Sequence, residues 1–207
     1  MEKKISQMDV AIMCVNLAYE RVKQSWPAVL VKLKYNFGPD FKVFDEGYAL
    51  LDMSLLLIAW EICYIRRNYP KGQAEPIEQA ILGIIEMQDN GAYSLAEVND
   101  YMQLYDKDMT LSSKILLQLI RDEKKFIAYK FSDIDFRKTL EIFRPLIGVA
   151  STINKSYKIK NDIRQDIPVQ DSVTKKNERF WRKDWMKNLE STCRSFTFVA
   201  PWRLFVI

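Results

Sequence analysis

Between Asp45 and Arg67 two apolar stripes run side by side at helical spacing. One is Tyr48, Leu51, Leu55, Ile58, Ile62 and Ile65; the other is Leu50, Met53, Leu57, Trp60 and Tyr64. Adjoining stripes cover most of a helix, so this helix is stable in water only when neighbours enclose it. That requirement dictates a helical bundle with Asp45–Arg67 at its centre. The 207 residues leave enough chain to build one. A membrane span needs about 20 apolar residues, and the run from Tyr48 to Ile65 is shorter and contains Asp52 and Glu61. These carboxylates are nine residues apart, about 180° around a helix, so they cannot act as one catalytic pair. Each is expected to reach the surface or to pair with an arginine.

The flanking segments also have helical spacing. Ser6 with Asp9 resembles a capping start, and Met8, Ile12, Val15, Tyr19, Val22 and Trp26 follow as one stripe. Pro27 lacks an amide proton and is expected to end or kink that helix, with Ala28 to Phe37 as a short continuation. Gly38-Pro39-Asp40 and Tyr69-Pro70-Lys71-Gly72 are breaks. Pro76 suits the first turn of a helix that buries Ile77, Ala80, Ile81, Ile84 and Ile85 and ends at Asn90-Gly91. Ser94-Leu-Ala-Glu97 has the spacing of a capping box for a helix using Leu95, Val98, Met102 and Tyr105. Asp106 to Met109 form a polar turn. Thr110 is expected to cap a helix burying Leu111, Ile115, Leu116, Leu119 and Ile120. From Phe126 to Phe131 the period shortens to two, which predicts a strand. Phe136, Leu140, Phe143 and Ile147 fit either a helix kinked at Pro145 or a returning strand.

The order from Pro76 to Phe131 is helix, extended Ala92-Tyr93-Ser94, capped helix, turn, helix, strand. It resembles a winged helix-turn-helix fold. The resemblance implies that the third helix of the segment enters the DNA major groove. Its outward residues would be Lys114, Gln118, Arg121 and Lys125, which can hydrogen-bond base edges and phosphates. Glu97, Asp100, Asp106 and Asp108 lie nearby and would repel a phosphate backbone.

Charge is uneven along the chain. Residues 151–207 hold 12 Lys+Arg against 6 Asp+Glu, a net of +6; the first 150 hold 19 against 21, a net of −2. A basic end suits a negatively charged partner. Residues 151–179 are polar, with Pro168 among them, and are expected to form a linker or arm. Beyond them, Arg179, Arg182, Lys183 and Lys187 accompany Trp181, Trp185 and Leu189, and Trp202 lies in an apolar final segment. Basic side chains beside aromatic ones suit nucleic acid. The same aromatic residues could dock on the bundle's own core or on a partner protein.

The chain contains no histidine, which excludes Ser-His-Asp and Cys-His nucleophile systems, an HExxH zinc site and a histidine base. Its six glycines never form a GxG, and no CxxC occurs. The DxD spacings at Asp106/Asp108 and Asp133/Asp135 are more simply turn and cap residues than metal ligands. Cys14, Cys63 and Cys193 suit buried thiols in a reducing compartment, and the first residues do not have the pattern of a secretory signal.

The sequence thus predicts a mainly α, non-enzymatic, cytoplasmic protein with no cofactor and no bound metal. It would consist of a bundle over residues 1–70, a winged-helix-like unit over 76–150 and a basic, aromatic end over 151–207. The first expectation is a nucleic-acid-associated regulator. The alternative is a helical interaction module, an inhibitor or complex subunit that meets a protein partner or its own copy. A membrane surface is not the expected partner.

Overall fold

The computed structural model describes residues 4–88 and 90–160, and the fold is mainly α. Strand β1 (Lys4–Ser6) leads into α1 (Gln7–Phe37), where the Ser6 side chain accepts from the Asp9 amide. Helix α1 is continuous over 31 residues, about 46 Å, with Pro27 inside it. The expected break at Pro27 does not occur. Pro27 is exposed and so is Lys23, whose carbonyl loses its helical donor and faces the solvent side. On the opposite side Val22, Trp26, Val29 and Leu33 are buried, and their packing accounts for the helix continuing through the proline position.

Gly38, with φ of 100°, ends α1 and donates its amide to the Lys34 carbonyl. The chain then turns back, and the Phe44 amide is anchored on the Leu119 carbonyl. Helix α2 (Glu46–Asn68) starts at Asp45, which caps the Tyr48 amide. It touches α1, α3, α4, α5 and α8, as its double stripe requires. By length and composition α2 could cross a membrane, yet 83% of its most apolar window is buried inside the protein. It is the core of the bundle.

Helix α3 (Lys71–Glu86) begins five residues before Pro76, which therefore lies inside the helix and not in its first turn. Pro76 removes the donor that the Gly72 carbonyl would use, and the buried Gln7 side chain donates to that carbonyl from 3.3 Å. Helix α4 (Gly91–Leu104) follows a tight turn. Gly91 starts this helix and does not end the previous one. A Cβ there would collide with the Glu86 carbonyl, so the turn needs glycine for close approach.

Three further local expectations are corrected. Ala92-Tyr93-Ser94 is helical, and Ser94 is buried in α4 with its hydroxyl unpartnered; it caps nothing. Helix α5 (Asp108–Ile120) begins before Thr110, with Lys107 at the N-cap position and no side-chain cap. Its buried set, Leu111, Ile115, Leu116, Leu119 and Ile120, is the expected one. Phe126–Phe131 is not a strand: α6 (Glu123–Ala128), capped by Asp122, occupies its first half. The expected period-two set of Ile127, Tyr129 and Phe131 does not share a face: Ile127 is exposed, whereas Tyr129 and Phe131 join Phe126 in one ring cluster with Phe37, Phe41 and Phe136, at centroid separations of 5.3–6.2 Å.

Helix α7 (Asp133–Phe143) starts with a reciprocal capping box between Ser132 and Asp135. A short 3-10 turn (Arg144–Leu146) contains Pro145, so the kinked-helix alternative holds and the returning strand does not. Helix α8 (Val149–Ser156) and β2 (Lys158–Lys160) occupy the start of the expected linker. β2 pairs in parallel with β1, with Ile5 opposite Ile159.

An exposed proline inside a helix costs up to about 3 kcal/mol, partly offset by its smaller unfolded-state entropy. Pro27→Ala is therefore expected to stabilise the protein by about 1–2 kcal/mol. Urea unfolding checks this; a destabilised variant would show that the proline is needed for the packing of α1.

Candidate functional site

The central polar feature is built on α2, α4 and the α5–α6 junction. Asp52 is fully buried in the middle of the bundle. It accepts from the Tyr93 hydroxyl at 2.6 Å and from Arg121 Nη2 at 2.8 Å; the same nitrogen donates to the Tyr93 oxygen at 3.1 Å. Arg121 can reach inward because α5 has ended: it is the C-cap, in the left-handed region at φ 47°. Its guanidinium lies 4.2 Å from the centre of the half-exposed Tyr48 ring. That stacking gives the cation a second partner on its outer side.

Burial works against the Arg121 charge, but hydrogen bonding and the charge of Asp52 outweigh it and hold the guanidinium above its ordinary value. Burial, with the hydrogen bond and charge of Asp52, raises the Tyr93 hydroxyl, which stays protonated and keeps donating. Both oxygens of the carboxylate are thus hydrogen-bonded, one by the neutral hydroxyl and the other by the cation. Chemically the cluster is a closed charge pair: its acid and its cation are engaged with each other.

The expected reading residues do not form one open face. Lys114 lies 3.0 Å from both Glu97 and Asp100 of α4, with its ammonium over the Tyr101 ring at 5.1 Å. Gln118 donates to Glu97 at 3.1 Å. Arg121 turns into the core. Lys125 stands apart on α6, exposed, 3.7 Å from Asp122. The helix that was to carry all four stops at Ile120, one residue before Arg121.

Arg179, Arg182, Lys183, Lys187, Trp181, Trp185, Leu189 and Trp202 lie outside the described residues. So does the rest of the expected linker or arm, residues 161–179. Among the described residues no group of acidic, cysteine or histidine side chains could hold a metal ion. Asp106 bonds to Arg67, Asp108 to Arg144, and Asp135 to its own helix cap.

A second polar centre was not foreseen. Glu61 is buried on the side of α2 away from Asp52 and accepts three backbone amides: Gly148 at 2.6 Å, Val149 at 2.9 Å and Ala150 at 2.8 Å. These are the first free amides of α8, where the helix dipole also favours an anion. The sequence signal was the carboxylate itself inside an apolar helix. Its partner, 87 to 89 residues away, left no trace in the pattern.

No family model matches the chain, and neither does any curated protein or solved structure with which it was compared.

Removing one partner of a buried charge pair leaves the other uncompensated, at a cost of about 3–5 kcal/mol. Arg121→Ala is expected to lose nearly that much stability in chemical denaturation. The combined variant Asp52→Leu with Arg121→Leu should recover most of the loss, because neither charge then remains unpaired. A double variant as unstable as the sum of the single changes would contradict this reading of the cluster.

Proposed function

We propose that this protein is a non-enzymatic helical interaction module, an inhibitor or complex subunit, and that α5 does not read DNA. The observation that carries this reading is the engagement of Lys114, Gln118 and Arg121 by Glu97, Asp100 and Asp52. Each would have to leave a carboxylate to meet a phosphate, and those carboxylates would then repel the duplex. The exposed surface favours a protein partner. Val31, Tyr35, Phe44, Ile127 and Ile134 are exposed on the elements that converge on the ring cluster of Phe37, Phe131 and Phe136. Large apolar side chains left exposed on elements that share one ring cluster suit a contact surface. Trp181, Trp185, Leu189 and Trp202 add aromatic side chains in the sequence beyond. A second reading rests on the net charge of +6 in residues 151–207 (12 basic less 6 acidic), which favours nucleic acid held by Arg179, Arg182, Lys183 and Lys187.

Two measurements on the full chain separate these readings. The chain is expected to sediment as an oligomer, and Tyr35→Ser with Ile127→Ser to shift it toward monomer. Duplex DNA should keep its mobility at low salt. A monomer that retards duplex, and loses that ability in Lys114→Ala, would overturn the proposal. Retardation lost only in Arg182→Ala with Lys183→Ala would instead support the second reading.

A further inference from the structure

Among the described residues, four buried side-chain polar atoms have no hydrogen-bond partner: Trp26 Nε1, Ser94 Oγ, Tyr101 Oη and Arg121 Nε. Such atoms are uncommon in folded proteins, because each gives up its hydration on burial and gains nothing in exchange. Trp26 lies on α1. The other three belong to α4 and to the end of α5, the elements that surround Asp52.

The guanidinium of Arg121 fixes the direction of one of them. Nε and Nη2 form one edge of this rigid planar group. Nη2 is 2.8 Å from Asp52 Oδ2 and 3.1 Å from Tyr93 Oη, so the Nε–H bond is aimed into the core beside them. Tyr101 is fully buried, and its hydroxyl is pushed well above its ordinary value, first by burial and then by the charges of Asp52 and Glu97, against the pull of Arg121. The hydroxyl therefore shares the surroundings of the Asp52 cluster and stays protonated, able both to donate and to accept. Ser94 is the next residue after Tyr93, which is itself bonded to Asp52. It precedes Tyr101 by seven residues, about two turns or 10.5 Å of helix, on the same face of α4. Long side chains on a helix lean toward its N-terminus, which carries the Tyr101 hydroxyl back toward Ser94.

We propose that Arg121 Nε, Tyr101 Oη and Ser94 Oγ together hold an internal water molecule beside the Asp52–Arg121 pair. The water accepts from Arg121 Nε–H and from the Tyr101 hydroxyl, and it donates to Ser94 Oγ. Three hydrogen bonds are the usual number for a buried water. Charge selects a neutral ligand here. An anion would meet the Asp52 carboxylate, and a cation would meet the Arg121 guanidinium. Size selects a small one, because none of the three atoms lies in an open pocket. The water completes the donor set of Arg121 and explains a tyrosine, in place of phenylalanine, at a fully buried position. This inference is independent of the interaction-module reading.

Two measurements on the full chain test it. Oxygen-17 relaxation dispersion of the solvent counts waters held for long times inside a protein. The combined variant Tyr101→Phe with Ser94→Ala should lose the signal of about one such water relative to the unaltered chain. In a crystal structure of the unaltered chain, an ordered water should lie about 3 Å from both Arg121 Nε and Tyr101 Oη. The crystal structure decides the matter if the variant fails to fold. Equal relaxation amplitudes in the unaltered chain and a folded variant would overturn the proposal. So would a crystal structure in which Arg121 Nε has no water beside it or is bonded directly to a protein oxygen.

Discussion

Two carboxylates inside the most apolar helix govern how the rest of the chain is arranged. Helix α2 must be enclosed, yet Asp52 and Glu61 enter the core with it. An isolated buried charge is far too costly to persist, so each needs partners that come in with the packing elements. The partners arrive from opposite sides, as the half-turn between the two residues demands. Asp52 draws in Tyr93 of α4 and Arg121 at the end of α5. Glu61 draws in the start of α8. The polar contacts thereby fix which helix lies on which side of a core whose apolar contacts alone are not directional.

The Glu61 side extends further than one helix. An eight-residue helix is not stable by itself in water. Helix α8 exists because its first amides are bound and because Val149, Ala150 and Ile153 are buried. Tyr69 adds a hydrogen bond to the Ala150 carbonyl at 2.7 Å. Beyond α8 the chain pairs β2 with β1, and the Gln73 side chain donates to the Ile159 carbonyl at 3.4 Å. A two-stranded ladder is marginal alone. Here it is the last link in a series that runs from α2 through α8, and it ties residues 158–160 to the start of α1.

Local sequence revealed the features that local physics decides. The bounds of α2, the Ser6–Asp9 cap and the buried set of α5 all follow from spacing and capping chemistry within one helix. The errors came where distant packing overrode a local signal. Ser94 and Glu97 have capping-box spacing, but α4 starts earlier because Gly91 lets the chain pass close to Glu86, and Glu97 is spent on Lys114 and Gln118. Pro27 and Pro76 sit inside helices because a solvent-facing carbonyl and the Gln7 side chain absorb the missing amides. The alternation at 126–131 is not a pleat: Ile127 turns to solvent, and the ring cluster takes Phe126 with Tyr129 and Phe131 instead. For the candidate site, residue types were legible and partners were not: Arg121 was expected outside, and its left-handed backbone turns it to Asp52. The expectation that a buried carboxylate pairs with an arginine describes Asp52 well and misses Glu61, whose partners are backbone amides without a sequence signature.

The claim that the buried carboxylates of α2 organise the bundle is tested most directly by hydrogen exchange at Gly148, Val149 and Ala150. Amides in the first turn of a helix ordinarily exchange fast, because they have no intrahelical acceptor. If Glu61 binds them as described, these three should exchange as slowly as the core amides of α2, and all three should become fast in Glu61→Leu, which removes both acceptor oxygens, while α2 stays protected. Rapid exchange at these amides in the unaltered protein would contradict the account.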